Sequence, residues 1–255
     1  MTATEPMRSE LVEDRPSTSS GSTTSSGPMT SSARMPGRVR HVGGALALIV
    51  APWGFVISNA CYAWMIRNGG SDETGVGALA LAAAGPGILR LCLVAGMIGC
   101  LLIIPAVMTA LGLARRSRLA FVGGSLMIAG YVCYFGVLLS NMMIIAMAEH
   151  GGPLGDFASV IDAGQADSST AWVFPIFILG NLLGTVLFAI GLLRSRTVPI
   201  WAAILILLWP PLHITGLFIL GSEVPEVIGA VLQAIGFAGI AVAVLRRSNR
   251  EASVG

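Results

Sequence analysis

The chain has 255 residues, a mean hydropathy of +0.81 and a formal net charge of +2 at pH 7. Hydrophobic residues make up 55% of it and charged residues only 11%, about half the charged share of a soluble domain. Because so few charges could not cover the surface of a soluble protein of this size, the composition excludes that class and indicates that lipid surrounds most of the chain. We expect membrane lipids as partners and no nucleic acid.

Residues 1–40 differ in composition from the rest of the chain. The stretch RPSTSSGSTTSSGPMTSSARMPGR is rich in Ser, Thr, Gly and Pro, and it has almost no apolar side chains to bury. Such a segment cannot offset the entropy that is lost when a chain becomes ordered. We therefore predict a disordered, Ser/Thr-rich cytoplasmic tail over residues 1–40.

Six apolar runs follow, and each reaches about the 20 residues that a helix needs to cross about 30 Å of hydrocarbon. Backbone groups in lipid must be hydrogen-bonded within their own segment, which favours helices. The predicted fold is therefore all-α, a polytopic membrane helix bundle over residues 41–247, followed by a short cytoplasmic tail at 248–255. The six predicted transmembrane helices are 43–66, 88–113, 119–147, 171–193, 198–220 and 226–245.

Charged residues divide the connections between these runs into two kinds. Every second connection or terminus is basic, and the basic residues are Arg34, Arg38, Arg40, Arg115, Arg116, Arg118, Arg194, Arg196, Arg246, Arg247 and Arg250. The others are acidic and contain Asp72, Glu73, Glu149, Asp156, Asp162, Asp167, Glu223 and Glu226. The positive-inside rule then predicts that the chain lies in the cell membrane with both termini in the cytoplasm. His41 falls at the basic edge of the first run, where anionic lipid headgroups are expected.

The two long acidic connections each predict a short surface helix. The first is ETGVGALALAAAGPG, in which Pro86 and Gly87 would end the helix. The second is PLGDFASVIDAGQADSST, in which Asp167, Ser168 or Ser169 would cap the fourth span.

Small residues in two spans predict close contacts between helices of the same chain. They are Gly180 and Gly184 in the fourth span, and Ala95, Gly96, Gly99 and Cys100 in the second. The four cysteines show no paired metal-ligand or disulfide spacing, so we interpret them as small residues of the bundle.

Two stretches resemble known sequences. AGPGILRLCLVAGMIGCLLIIPAVMTALGLARRSRLAFVGG and GLLRSRTVPIWAA are similar to stretches of uncharacterised multi-span membrane proteins that are frequent in actinobacteria. The shared features are Pro86-Gly87 with Arg90, Pro105 in mid-span, Gly123-Gly124 after a basic turn, and the segment from Arg194 to Trp201. The resemblance covers about half of the chain. It implies a membrane protein of that broad kind, with no activity and no functional residue attached.

The stretch LLWPPLHITGLF places two prolines and a histidine inside the fifth run. Pro210 and Pro211 lack the N–H groups that would bond to the carbonyls of Ile206 and Leu207, so we expect a kink there. His213 lies about one turn beyond it.

Five polar side chains fall between the middle of the membrane and the predicted outer surface: His213, Asn59, Asn141, Asn181 and Gln233. One interpretation is that they form hydrogen bonds between helices, with a neutral His213. The other is that they line an outward-facing pocket, since polar groups inside a membrane mark candidate sites. The pocket hypothesis requires at least three of the five to converge on one cavity. Glu226 could reach His213 and form an acid–imidazole pair, or it could be a solvated loop residue.

No catalytic motif occurs, and no span contains a pair of acids. We therefore predict no catalytic residue, metal or cofactor. The sequence favours a non-enzymatic membrane protein that binds a small or lipid-like molecule from outside. The alternatives are a permease, or permease subunit, for a neutral solute, and an intramembrane enzyme that uses His213 with Glu226.

Overall fold

The structure is a computed structural model that describes residues 35–254. Within that range it has helices and no strand, which confirms the predicted all-α fold. The helices are α1 Met35–Ile66, α2 Gly75–Ala84, α3 Pro86–Leu113, α4 Arg118–His150, α5 Leu154–Ala166, α6 Val173–Ser195, α7 Ile200–Ile214, a π-helical segment Thr215–Leu220, and α8 Val224–Val254. The predicted tail over 1–40 lies outside the described residues, except for 35–40, which begin α1.

Six of these helices are long and apolar enough to cross a membrane. They are His41–Ile66, Pro86–Leu113, Arg118–His150, Val173–Ser195, Ile200–Leu220 and Val224–Arg250. Each overlaps one predicted span, so the chain is a multi-pass membrane helix bundle. The largest difference is at the last helix, because α8 continues through residues 248–254, which we had placed in a tail. Arginines end the apolar stretch there, but they are good helix formers and do not end the helix.

The six spans form a closed ring in sequence order. α1 contacts α3, α3 contacts α4, α4 contacts α6, α6 contacts α7, α7 contacts α8, and α8 returns to α1. The side chains between them are apolar and almost fully buried, and the largest include Phe188, Phe237, Ile206, Met127 and Leu48. Large apolar residues such as Phe121 and Met143 are more than half exposed, as expected for a surface that faces lipid.

Glycines allow α4 and α6 to approach each other closely. A Cβ on Gly180 would lie 2.5 Å from the carbonyl oxygen of Leu126, and a Cβ on Gly184 would lie 3.1 Å from the carbonyl oxygen of Gly123. The small residues of α3 act in the same way, since a Cβ on Gly54 would lie 2.6 Å from the carbonyl oxygen of Ala95. Both small-residue motifs therefore mediate packing inside one chain, as predicted.

The two predicted loop helices are present as α2 and α5. Thr74 caps α2, and the backbone N–H of Gly75 donates to Oδ1 of Asp162 over 2.6 Å, which joins the two helices. The predicted cap of the fourth span is wrong. Its N-cap residue is Trp172, with no side-chain cap bond, because Asp167 instead accepts from the N–H of Ser169 in a turn that precedes the helix.

The region around the two prolines is continuous. α7 remains α-helical through Pro210 and Pro211 as far as Ile214, and only then widens into the π-helical segment. The change to π-helical geometry therefore comes after His213, and the kink expected at the prolines stays a prediction. Gly221, with a φ of 56°, ends this segment in the left-handed region that favours glycine and turns the chain toward α8.

The contact between α4 and α6 predicts unequal effects for two glycines of α4. A Cβ on Gly123 would lie 2.2 Å from the backbone nitrogen of Phe188, whereas a Cβ on Gly136 would meet nothing within 4 Å. We expect Gly123→Ala to destabilise the bundle by about 1–3 kcal/mol through overpacking. Gly136→Ala should be neutral or slightly stabilising, because alanine is the better helix former. Thermal unfolding of both variants in detergent measures the difference, and equal melting temperatures would contradict the close contact.

Candidate functional site

A polar cavity lies inside the ring, closer to one of its ends. We call this the acidic end, because Asp72, Glu149 and Glu223 lie there; the arginine end carries Arg115, Arg194 and Arg247. The polar cavity has a volume of about 60 Å³ and is bordered by α1, α4, α6, α7 and α8. Its lining residues are Phe55, Asn59, Tyr131, Tyr134, Phe177, Ile178, Asn181, Leu182, Trp209, His213, Glu226 and Gln233.

Four of the five predicted polar span residues line this cavity. They are Asn59, Asn181, His213 and Gln233, and Glu226 joins them. Asn141 does not line the cavity, although both Asn141 and Asn59 are partly exposed. The four residues come from four different helices, so the closure of the ring brings them together.

His213 and Glu226 form the ionisable part of the cavity wall. His213 Nδ1 lies 2.9 Å from Glu226 Oε2, and both side chains are largely buried. The two atoms are in contact, although the direction of approach leaves Nδ1 without a hydrogen bond of acceptable angle. The His213 ring also stacks on Trp209, four residues earlier, with the ring centroids 5.2 Å apart. Packing and pairing thus fix the imidazole at the wall of the cavity, and the solvated-loop interpretation of Glu226 does not hold.

Two buried amide groups have no hydrogen-bonding partner among the described residues. They are Oδ1 of Asn181, a residue 7% exposed, and Nε2 of Gln233, a residue 3% exposed. The interpretation as hydrogen bonds between helices does not account for these two atoms. A buried polar group without a partner costs about 1–3 kcal/mol. Both residues line the polar cavity, so a polar molecule inside it can supply the missing partners.

Aromatic rings make up much of the remaining wall. Phe55 stacks on Tyr131 with centroids 4.4 Å apart, and Tyr134 stacks on Phe177 at 4.5 Å. Each pair joins two helices of the ring. Their packing holds those helices in place around the polar groups and gives the cavity rigid sides.

No protein-family model, characterised protein or solved structure that we compared matches this chain. The resemblance to multi-span proteins of actinobacteria therefore stays a prediction, and no residue role is transferred from a relative.

Three acids and a tyrosine meet where the cavity approaches the acidic end. Tyr62 donates its hydroxyl to Oδ1 of Asp72 over 2.8 Å. Partial burial, a hydrogen bond to Glu226 and the negative charges of Glu226 and Asp72 together raise the pKa of Glu223 from 4.5 to about 8. At neutral pH, Glu223 is therefore mainly a neutral acid that can donate to the carboxylate of Glu226.

Toward the arginine end, buried aromatic rings follow the residues that line the polar cavity, and we call Phe188 and Phe237 the apolar layer. Phe188 of α6 and Phe237 of α8 are both 0% exposed, and their rings stack with centroids 6.2 Å apart. Phe188 lies two turns beyond Asn181, and Phe237 one turn beyond Gln233. The polar lining therefore ends near the middle of the bundle.

The sequence pattern singles out the amides, His213 and Glu226 as candidates by their polarity inside apolar runs. It missed Tyr131, Tyr134, Phe177 and Trp209, because an aromatic residue in a span gives no signal of its own. It also treated Asp72 as an ordinary loop acid. Among the described residues, no group of three His, Cys, Asp or Glu side chains could hold a metal ion.

The raised pKa of Glu223 predicts a pH-dependent stability. Between about pH 4.5 and 8 the folded protein holds a proton on Glu223 that the unfolded chain releases. This contribution to stability is complete below pH 4.5 and is lost as the pH rises to about 8. We expect the melting temperature in detergent to fall over this range and Glu223→Gln to flatten the fall. Glu73→Gln, which changes an exposed acid at the same end, should leave it unchanged. If the melting temperature of Glu223→Gln falls with pH as steeply as that of the unmodified protein, Glu223 is not the source of the pH dependence.

Proposed function

We propose that this membrane protein binds a small polar molecule in the polar cavity, without chemical conversion. The observation that carries the proposal is that Asn181 Oδ1 and Gln233 Nε2, both deeply buried, lack protein partners at the wall of one cavity. A ligand with both hydrogen-bond donors and acceptors would satisfy these amides and interact with Glu226 and His213. Such pairing is favourable because the apolar surroundings make an unsatisfied amide costly.

The size of the cavity narrows the class of ligand. A volume of about 60 Å³ has room for roughly two to five water molecules. Typical pockets for drug-sized ligands are about 300–1,000 Å³. This favours a molecule of a few non-hydrogen atoms over a lipid-like one, so we retain only the small-molecule part of the prediction.

The apolar layer favours binding over permeation. A permease for a neutral solute requires polar groups along the whole path, whereas the buried rings of Phe188 and Phe237 lie between the residues of the polar cavity and the arginine end. We therefore do not propose the permease alternative.

The His213–Glu226 contact supports a second candidate, intramembrane acid–base catalysis. A carboxylate 2.9 Å from an imidazole nitrogen can hold the ring in one orientation, as acid–base catalysis requires. An enzyme would convert the bound compound, and His213→Ala would abolish conversion while the fold persists. A binding protein would release the compound unchanged, which mass spectrometry of the recovered ligand can distinguish.

We further propose that the arginine end faces the cytoplasm of the cell membrane, with both termini inside. The segregation of arginines to one end of the bundle supports this orientation. His41 and the arginines would then meet anionic headgroups of the inner leaflet.

Two asparagines provide a matched test of ligand binding. Asn59 lines the polar cavity and Asn141 does not, although each is partly exposed and lies in a span. Suitable probes are ammonium, ethanolamine, urea, glycerol and acetate, each added to the purified protein in detergent. We expect at least one probe to raise the melting temperature of the unmodified protein by mass action. Asn59→Leu should reduce this rise and Asn141→Leu should preserve it. An equal reduction in both variants, or no rise with any probe, would count against the proposal.

Single cysteines test the proposed orientation. The native cysteines would first be replaced by alanine, and Glu73→Cys or Arg116→Cys would then be introduced at two exposed sites on opposite ends. A membrane-impermeant maleimide should label Glu73→Cys in intact cells, and Arg116→Cys only after the membrane is opened. The reverse pattern would invert the bundle.

A further inference from the structure

A second cavity lies at the arginine end, beyond the apolar layer. It has a volume of about 540 Å³ and is bordered by the end of α3, the turn into α4, the end of α6 and the C-terminal part of α8. We call it the arginine cleft, because Arg115, Arg116, Arg194 and Arg247 line it. Among the described residues that line the cleft, none is acidic.

Hydroxyl groups fix the walls of the arginine cleft independently of the arginines. Ser117 donates to the carbonyl of Gly191 over 3.1 Å and accepts from the N–H of Ala120, which ties the turn before α4 to α6. Ser195 and Thr197 share a hydrogen bond of 2.8 Å between their hydroxyl oxygens. The guanidinium groups therefore border a supported cavity and are not only a belt of charges around the bundle.

Three of the four arginines that line the cleft, Arg115, Arg116 and Arg194, carry the argument for an anion site. The described ion pairs, Arg90–Glu149 and His213–Glu226, lie toward the other end of the bundle. Arg115, Arg116 and Arg194 pair with no acid among residues 41–250. Guanidinium groups around one cavity repel each other, which is unfavourable. An anion in the cavity would attract all of them and offset this repulsion.

We propose that the arginine cleft binds a phosphate group, carried either by an anionic lipid headgroup or by a free phosphate compound. Planar guanidinium groups match phosphate oxygens with pairs of hydrogen bonds, and the hydroxyls add further donors. The volume lies within the range of about 300–1,000 Å³ that is typical of ligand pockets. The cleft also lies at the ends of the spans, at the depth where headgroups occur.

The first experiment uses the purified full-length protein in a neutral detergent with inorganic phosphate as the probe. Melting temperature is compared between phosphate and chloride at equal ionic strength. We expect phosphate to raise the melting temperature. The double variant Arg116→Gln/Arg194→Gln should weaken the apparent affinity for phosphate by at least about tenfold, because charge-assisted hydrogen bonds are lost.

Two further double variants serve as controls. Arg118→Gln/Arg246→Gln removes the same charge from exposed arginines of the same end that do not line the cleft, and it should retain the response. Arg116→Lys/Arg194→Lys keeps the charge but loses the planar donors, so an intermediate loss is expected. This variant also keeps the test decisive if the glutamine pair fails to fold.

The second experiment distinguishes the source of the phosphate. The protein is placed in nanodiscs of phosphatidylcholine, with or without phosphatidic acid, and the retained lipids are identified by native mass spectrometry. Retention of phosphatidic acid that depends on Arg116 and Arg194 indicates a lipid headgroup. A response to inorganic phosphate without that retention indicates a free phosphate compound. Equal losses in the cleft and control double variants, or no response to either probe, would overturn the proposal.

Discussion

The structure depends on one constraint: inside lipid, every polar group must find its partner within the protein or in a cavity that the protein encloses. Backbone N–H and C=O groups satisfy this constraint by hydrogen bonding to each other within the helices. The glycines of α4 and α6 then allow these helices to touch along their backbones, where hydrophobic attraction gives no advantage over lipid. Side-chain amides cannot satisfy themselves in this way. The two buried amides without protein partners, on Asn181 and Gln233, both border the polar cavity, and this makes it the candidate site.

The same constraint separates the molecule into two ends of different chemistry. Toward the acidic end, the ring encloses a small cavity with amides, an imidazole and a carboxylate. At the arginine end it encloses a larger cleft with guanidinium groups. The Phe188–Phe237 stack lies between them, and its two residues belong to α6 and α8, the helices that also contribute to both cavities. A ligand at either end therefore contacts helices that extend to the other end.

The sequence predicted the spans well, because apolar length is imposed by the thickness of the membrane and not by neighbouring helices. Errors occurred at helix ends, where local turns and helix propensity decide. Asp167 was available as a cap but is used by a preceding turn, and the apolar stretch of α8 ends before its helix does. For the candidate site, the position of a polar residue in its span predicts its depth in the membrane. The sequence does not predict which side of the helix faces the interior of the bundle. The sequence gives no reason to prefer Asn59 over Asn141 as a cavity residue. The packing of the helices places Asn59 in the cavity wall and leaves Asn141 outside it.

The polar cavity is built from two kinds of contact. Some join residues that are close in sequence, and others form only when distant helices pack together. After His213, the π-helical segment and the turn at Gly221 return the chain at once to α8, which sets Glu226 beside the imidazole. The N–H of Ser222 bonds to the carbonyl of Gly216 and closes this turn tightly. The His213–Glu226 contact therefore needs only α7 and α8. The amide of Asn181 reaches the same cavity when α6 packs beside α7. α4 adds Tyr131 and Tyr134, so the polar cavity is completed by the α4–α6 contact that the glycines permit.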